Sequence, residues 1–258
     1  MSKTFYTKLK NRGLVQVEGE DRFAFLQGLI TNDLALLENQ PVIYACLLSP
    51  QGKFQHDFFV SRGDGVYLIE CEGGERAQDL YERLNKYKLR SKVQISAEDD
   101  IDIYAVFGDD TPRSGYADPR HHDMGWRSFE KPNDIDEQGF DEWDIHRIRL
   151  GIPDGSRDMV IDFSTMLECR IDKLHGVSFE KGCYVGQELT ARMHHRGLSK
   201  KHLYAIGFTS EPPTPLSTLS YNGHSIGEMR SSCGNIGIAQ IKDSDVDKIS
   251  ELGAHLLT

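Results

Sequence analysis

The sequence predicts an α+β fold that ends in a small β-barrel. Two observations carry that prediction. Over residues 1–199 the strand-like and helix-like stretches run strand, helix, strands, helix, strands, rather than the regular β–α–β alternation of a parallel sheet. From Lys200 onward the helical spacing disappears, and short β-rich runs are separated by Pro, Gly and Ser, the pattern of a small all-β module, an open barrel or sandwich. With 258 residues, 38% of them hydrophobic, the chain is long enough for one large domain or two smaller ones. The expected division is an α+β domain over 1–199 and a short barrel module over 200–258.

The elements follow in order. GLVQVEG (13–19) alternates and closes on glycine, as a strand does. DRFAFLQGLITNDLALL spaces Phe23, Leu26, Ile30 and Leu34 helically behind a candidate cap at Asp21. PVIYACLLS and FQHDFFVS read as two strands joined at Pro50–Lys53, where Gly52 supplies the freedom of a tight turn. GVYLIECE is a further strand. ERAQDLYERLNKYKLR is an amphipathic helix with Ala77, Leu80, Tyr81, Leu84 and Tyr87 on one face. KVQISAE and IDIYAVFG are strands, and 109–140 is a looser connection holding one strand, GWRSFE. DEWDIHRIRLGI is a helix stopped by Gly151 and Pro153. KHLYAIGF, TLSYNGHSIGEMRSS and NIGIAQIK make up the terminal module.

Composition excludes several classes. A net charge of −10 opposes a broad nucleic-acid footprint, which needs a basic face, so no direct nucleic-acid binding is expected. No run approaches the length of a membrane span. The five cysteines (Cys46, Cys71, Cys169, Cys183, Cys233) are scattered, with no CxxC, so they read as reduced thiols and offer no paired zinc ligands. The opening MSKTFYTKLKNRG lacks an apolar secretion segment, and the expected compartment is the cytoplasm.

The densest chemistry lies in KGCYVGQELTARMHHRG (181–197). VGQELTARMHHR favours helix, which puts Cys183 near a helix N-terminus with Lys181 beside it. Both would favour the thiolate, the reactive and ligating form. The competing reading is a small packed thiol. His194 and His195 lie about 16 Å along the same helix by its rise, too far to serve Cys183 as a base.

These residues carry a resemblance. KGCYVGQE followed by LTARMHHRG resembles the signature of the folate-binding YgfZ family. It is most similar to the branch related to the mitochondrial iron–sulfur cluster assembly factors. GEDRFAFLQGLITNDL, LLSPQGKFQHDFFV, LNKYKLRSKVQI, RIRLGIPDG and TMLECRIDKLHGVSFEKGCY continue the likeness in order along the chain. The resemblance implies the fold of the glycine-cleavage T-protein superfamily, with two α+β subdomains around a tetrahydrofolate pocket and a C-terminal barrel against them.

It also implies roles. In the superfamily's aminomethyltransferase, two adjacent aspartates follow the hairpin glycine and the first is catalytic. Here His56 stands at that first position and Asp57 at the second. A histidine with its ordinary pKa near 6.5 holds no fixed negative charge at neutral pH, and the transferase lacks the cysteine motif. The expectation is therefore a tetrahydrofolate-binding factor that assists iron–sulfur protein maturation and, through radical tRNA-modifying enzymes, tRNA thiolation. Cys183 would be its functional thiol and a transient cluster ligand, with partners supplying the remaining ligands, since one thiolate cannot complete a four-thiolate site. An aminomethyltransferase and a non-catalytic folate sensor or scaffold stand as alternatives. For the folate pocket the resemblance nominates Glu168 as a bidentate acceptor, Trp143 as a ring face, Arg147 or Arg149 for the glutamate tail, and Asp57 and Tyr184 along the wall. Each has a plain counterpart as a surface charge or core side chain. Tyr87 and Lys92 read as structural.

Overall fold

A computed structural model describes residues 4–98, 101–108 and 115–257. The expected loose connection over 109–140 lies outside the described residues at 109–114.

The chain opens with β1 (Thr4–Lys8) and β2 (Arg12–Glu18), then a single-turn helix α1 (Arg22–Gln27). The helix expected across 21–37 ends at Gly28 and resumes only as a 3₁₀ turn, Leu34–Glu38. The reason is tertiary. Thr31 donates to the Gly176 carbonyl at 2.6 Å, and Asn32 donates to the Tyr44 and His175 carbonyls at 2.8 Å, so this stretch is drawn across to other segments. Phe23 is 43% exposed instead of core-facing. Asp21 does not cap the helix; its carboxylate accepts from the Lys92 amide.

The hairpin forms as read. β3 (Val42–Leu48) pairs antiparallel with β4 (Phe54–Arg62), with a bulge at Leu47/Leu48, and Gly52 sits at φ +77° in the turn. β5 (Val66–Glu72), the helix α2 (Glu75–Lys88) and β6 (Gln94–Glu98) follow. They complete an antiparallel sheet ordered β3-β4-β5-β2-β6. Alternation along β4 sends Phe58 and Val60 to one face and Asp57 and Phe59 to the other, as a pleated strand requires. The first face packs on α2 through Ala77, Leu80 and Leu84.

The second sheet, ordered β10-β1-β7-β9-β8, adds β7 (Tyr104–Gly108), β8 (Tyr116–Ala117), β9 (Trp126–Ser128) and β10 (Asp136–Glu137) to β1. Helices α3 (Phe140–Arg149) and α4 (Gln187–Arg196) bracket a long, turn-rich segment. The third sheet is antiparallel and ordered β12-β13-β14-β11-β15, from β11 (Lys201–Phe208), β12 (Thr218–Tyr221), β13 (His224–Cys233), β14 (Ile236–Lys242) and β15 (Ala254–Leu256). Its two edge strands do not pair with each other among the described residues, so the barrel is open. A 3₁₀ stretch, Asp243–Leu252, packs on it through Ile249.

The central core is shared by all three sheets. Tyr44, Cys46 and Phe59 from the first, Ala105 and Phe107 from the second, and Leu203, Ala205, Ile236 and Ile238 from the third meet Trp143, Ile148, Cys169 and Tyr184 in one apolar cluster. The functional candidates sit in or beside that convergence.

Candidate functional site

Cys183 is exposed, and of the five cysteines it alone is; Cys46, Cys71 and Cys169 are buried and Cys233 is half-buried. It does not stand at the helix start. α4 begins at Gln187, and Cys183 lies in the irregular turn before it. The expected assistance from Lys181 is corrected as well. Its ammonium turns inward and donates to three carbonyls, of Gln27 at 2.7 Å and of Ile30 and Asn32 at 2.8 Å. Lys181 therefore acts as an anchor. Ser178 N–H to Thr31 and Val185 N–H to Gly28 stitch the same loop to the end of α1.

The other side of the turn is fixed by backbone contact. Gly186, at φ +82°, lies against the hairpin tip, where a Cβ would come within 2.5 Å of the Ser49 carbonyl and 3.0 Å of the Gly52 Cα. Only glycine fits such an approach in that conformation. Tyr184 points inward to the central core, and burial pushes its hydroxyl up to about 12. The turn thus holds Tyr184 and Lys181 inside and presents Cys183 outside. The distance estimate along a shared helix does not apply to His194, because Cys183 precedes the helix. His194 is instead stacked on Phe179, ring centroids 3.8 Å apart at 19°.

Phe179 and Glu180, just before the cysteine, line a cleft of about 590 Å³ with Asn32, Leu36, Tyr44 and Pro119. That volume lies in the range of small-molecule sites. Tyr44 links the cleft to a buried polar centre. Its hydroxyl donates to Asp57 at 3.0 Å, and the other Asp57 oxygen has no partner among the described residues. Burial raises the Asp57 carboxyl to about 6; Arg12 and Arg120 oppose that, while Glu72 and Asp154 reinforce it.

Around Asp57, three guanidiniums face the Phe59 ring: Arg127 at 4.3 Å, Arg120 at 4.8 Å and Arg12 at 5.6 Å. Glu70 accepts from Arg12 at 3.1 Å, from the Arg127 Nε at 3.0 Å and from the Tyr116 hydroxyl at 2.7 Å. Burial alone would raise Glu70, but Arg127 and Arg12 bring it down to about 2. Arg120 is matched by Asp118 through bonds of 2.9 and 2.7 Å. Sequence reading missed this network. Its trace was a charged residue inside each of two apolar strand runs, Glu70 in GVYLIECE and Arg127 in GWRSFE.

His56 faces away from this centre. It is buried on the α2 side, where its Nε2 meets Asp79 at 2.8 Å. Burial, with Arg76 nearby, lowers its pKa to about 3, so it is neutral, as its chemistry suggested. Asp57 is the acid of the pair that points to the central core.

The remaining predicted residues separate. Trp143 is 2% exposed, packs on Phe140 at 5.3 Å, and has an indole N–H without a partner among the described residues. Arg147 is a correction. It is fully buried, and its guanidinium donates to Asp144 at 2.6 Å, Asp158 at 2.7 Å, Ser231 at 2.7 Å and the Ile152 carbonyl at 3.0 Å. Those bonds use both terminal nitrogens and Nε to bind α3 to the barrel, leaving no fork for a glutamate tail. Arg149 is exposed on the opposite side. Glu168 is half-buried, accepts from Thr165 at 3.0 Å and lies 4.0 Å from Lys201. Lys201 lines a second cleft of about 310 Å³ with Arg230 and Phe163.

Among the buried side-chain atoms without a partner are an Asp57 oxygen and the Trp143 N–H, an acceptor and a donor set behind the Tyr44 cleft and not in its lining. A pterin carries both donors and acceptors, so in donor and acceptor type these two atoms would match it. The residues that fit are Asp57, Tyr44 and Trp143; Arg147 does not.

Comparison with known proteins places the chain. No protein-family model matches it. It is 32% identical to the human mitochondrial iron–sulfur cluster assembly factor IBA57, over 90% of this chain and 76% of the relative. The mouse protein is 31% identical over 93% and 78%. The Mycosarcoma maydis homologue is 33% identical over 81% of this chain and 59% of its own length. In structure, the glycine cleavage system aminomethyltransferase T from Bartonella henselae aligns with a TM-score of 0.75 at 15% identity, covering 95% of this chain and 80% of that one. That likeness establishes the T-protein fold. The cytoplasmic expectation is overturned: these relatives are mitochondrial proteins, and a missing secretion segment does not separate cytoplasm from mitochondrion. The chain belongs to the family of IBA57 iron–sulfur cluster assembly factors and has the fold of the glycine-cleavage aminomethyltransferase.

Proposed function

We propose that the protein assists maturation of iron–sulfur proteins, with Cys183 as the thiol that meets the cluster or the client. One observation carries this reading: the single exposed cysteine stands on a turn pinned by Lys181 on one side and Gly186 on the other. A thiol held at fixed position on a rigid support suits ligation or exchange with a docked partner. One thiolate leaves most of a cluster's coordination to that partner, so the cluster is cargo shared between two proteins. The clients in this reading include radical enzymes that thiolate tRNA.

Tetrahydrofolate is the proposed small-molecule ligand, and when bound it supplies a one-carbon carrier. Asp57 and Tyr44 would accept and donate at its polar ring, with Trp143 near by. Glu168 and Tyr184 complete the proposed contacts from their own positions. Against aminomethyl transfer, His56 is neutral and directed at α2, so no second carboxylate joins Asp57 at the hairpin.

The test pairs two measurements. Cys183→Ala is expected to lose rescue of iron–sulfur enzyme activity in a strain lacking the factor, while calorimetric titration with tetrahydrofolate gives the same affinity as the parent. Rescue at the parental level excludes the thiol role, and absence of heat in both proteins excludes the folate role. Formation of methylene-tetrahydrofolate from an aminomethylated carrier protein would favour the transferase alternative.

A further inference from the structure

We propose that the turn His121–His122–Asp123 is a binding site for a divalent first-row transition-metal ion. Among the described residues it is the one group of three histidine, cysteine or carboxylate side chains whose ligand atoms all lie within 4.8 Å of one another. The His122 Nε2 is 3.2 Å from an Asp123 carboxylate oxygen, and the His121 Nδ1 is 3.9 Å from the same oxygen. An ion with bonds near 2.1 Å needs neighbouring donors roughly 3.0–3.5 Å apart. The first distance meets that directly, and the second closes with a small rotation of an exposed side chain.

The His121 Nδ1 accepts the Asp123 backbone N–H at 3.1 Å, so its one lone pair is engaged in that bond, and an ion would take it up in place of the amide. That nitrogen also faces a carboxylate oxygen acceptor to acceptor, an arrangement that a cation between them relieves. The two imidazoles are stacked, centroids 4.4 Å apart at 25°.

The turn is also held rigid. Met124 is 1% exposed and anchors it to the central core. Gly125, at φ +79°, lies against the Val106 carbonyl, where a Cβ would come within 2.0 Å. Its carbonyl accepts the Asp118 amide at 2.9 Å. The His146 Nε2, on α3, donates to the Asp123 carbonyl at 2.7 Å. With the backbone fixed, little conformational freedom is lost on binding.

Two imidazoles and one carboxylate without a thiolate select borderline ions such as Fe²⁺, Co²⁺, Ni²⁺ or Zn²⁺ over Mg²⁺ or Ca²⁺. Three protein ligands leave coordination positions open to water. The His122 and Asp123 side chains are 83% and 57% exposed, so the ion exchanges freely. The turn follows one residue after Pro119, which lines the cleft beside Phe179.

The experiment is titration of the full chain with Co²⁺, read by its visible d–d bands, and with Zn²⁺ by calorimetry. The starting protein carries Cys183→Ser, so that the exposed thiol does not compete. The expected result is one saturable equivalent. His122→Ala and Asp123→Asn each weaken it by at least about tenfold, the scale on which even outer ligand partners act. His195→Ala on α4 leaves it unchanged. Both site variants alter exposed side chains and keep the parental melting temperature. The proposal is overturned if no saturable equivalent binds, if binding is equally tight in His122→Ala, or if only His195→Ala abolishes it.

Discussion

Asp57 makes the buried centre sensitive to pH, and Asp57→Asn tests the reason. The carboxyl lies in the core with one oxygen on the Tyr44 hydroxyl and the other unpaired. Burial raises it from the ordinary 3.8 to about 6. A folded pKa above the unfolded one means the native state binds the proton more tightly. The resulting stability is full below about pH 4 and is lost as pH rises through about 6. Over the whole window the difference is about 3 kcal/mol, from roughly two pH units at 1.36 kcal/mol each. Between pH 5 and pH 7.5 the same two values give a loss on the order of 1 kcal/mol. Asparagine keeps an acceptor for Tyr44 and has no proton to lose. The variant should therefore gain on the order of 1 kcal/mol on the parent between these pH values, about 2–4 °C in melting temperature for a chain of this size. Urea or thermal unfolding at pH 5.0 and 7.5 measures it. A gain independent of pH, or a variant that falls behind the parent at pH 7.5, would refute the reasoning. It would mean that Arg12 and Arg120 hold Asp57 ionised throughout.

Two further substitutions probe the supports of the site. Arg147→Met removes the guanidinium that pairs with Asp158, leaving that buried charge without its cation while Asp144 keeps Arg157; denaturant unfolding should report a loss of about 3–5 kcal/mol. A loss below 1 kcal/mol would mean that α3 and the barrel are held chiefly by apolar contact. Gly186→Ala forces a Cβ to within 2.5 Å of the Ser49 carbonyl at positive φ. It should cost at least about 1 kcal/mol and raise the alkylation rate of Cys183 as the turn loosens. An unchanged alkylation rate would show that the hairpin does not hold the cysteine.

Local pattern exposed much of this fold, and its limits follow from what local pattern contains. β2, the β3–β4 hairpin and α2 announce themselves because each buries one face on a regular period, and Gly52 marks the turn between two such runs. The apolar spacing of α1 continues past Gly28, so the sequence suggests a longer helix. What ends it are the bonds of Thr31 and Asn32 to carbonyls far along the chain, which no window of neighbours contains. The pairs β8 and β10, two residues each, are too short to show a period.

The site divides in the same way. Cys183 stood out because it sits in a motif with chemistry of its own, and Asp57 because the resemblance sets it after the hairpin glycine. The network of Arg12, Arg127 and Glu70 did not, since its members are 57 and 58 residues apart and each looks like a lone charge in its strand. Arg147 was misread for a related reason. Helical period shows that Arg147 and Arg149 face different ways, but not which side meets the barrel.

The central claim is that an exposed, fixed thiol at position 183 does the work. The most direct measurement is the activity of an iron–sulfur enzyme in cells lacking the endogenous factor and expressing Cys183→Ser at the parental protein level. The account predicts activity no higher than in cells with empty vector, although the variant folds with the parental melting temperature. Activity restored to the parental level would contradict it.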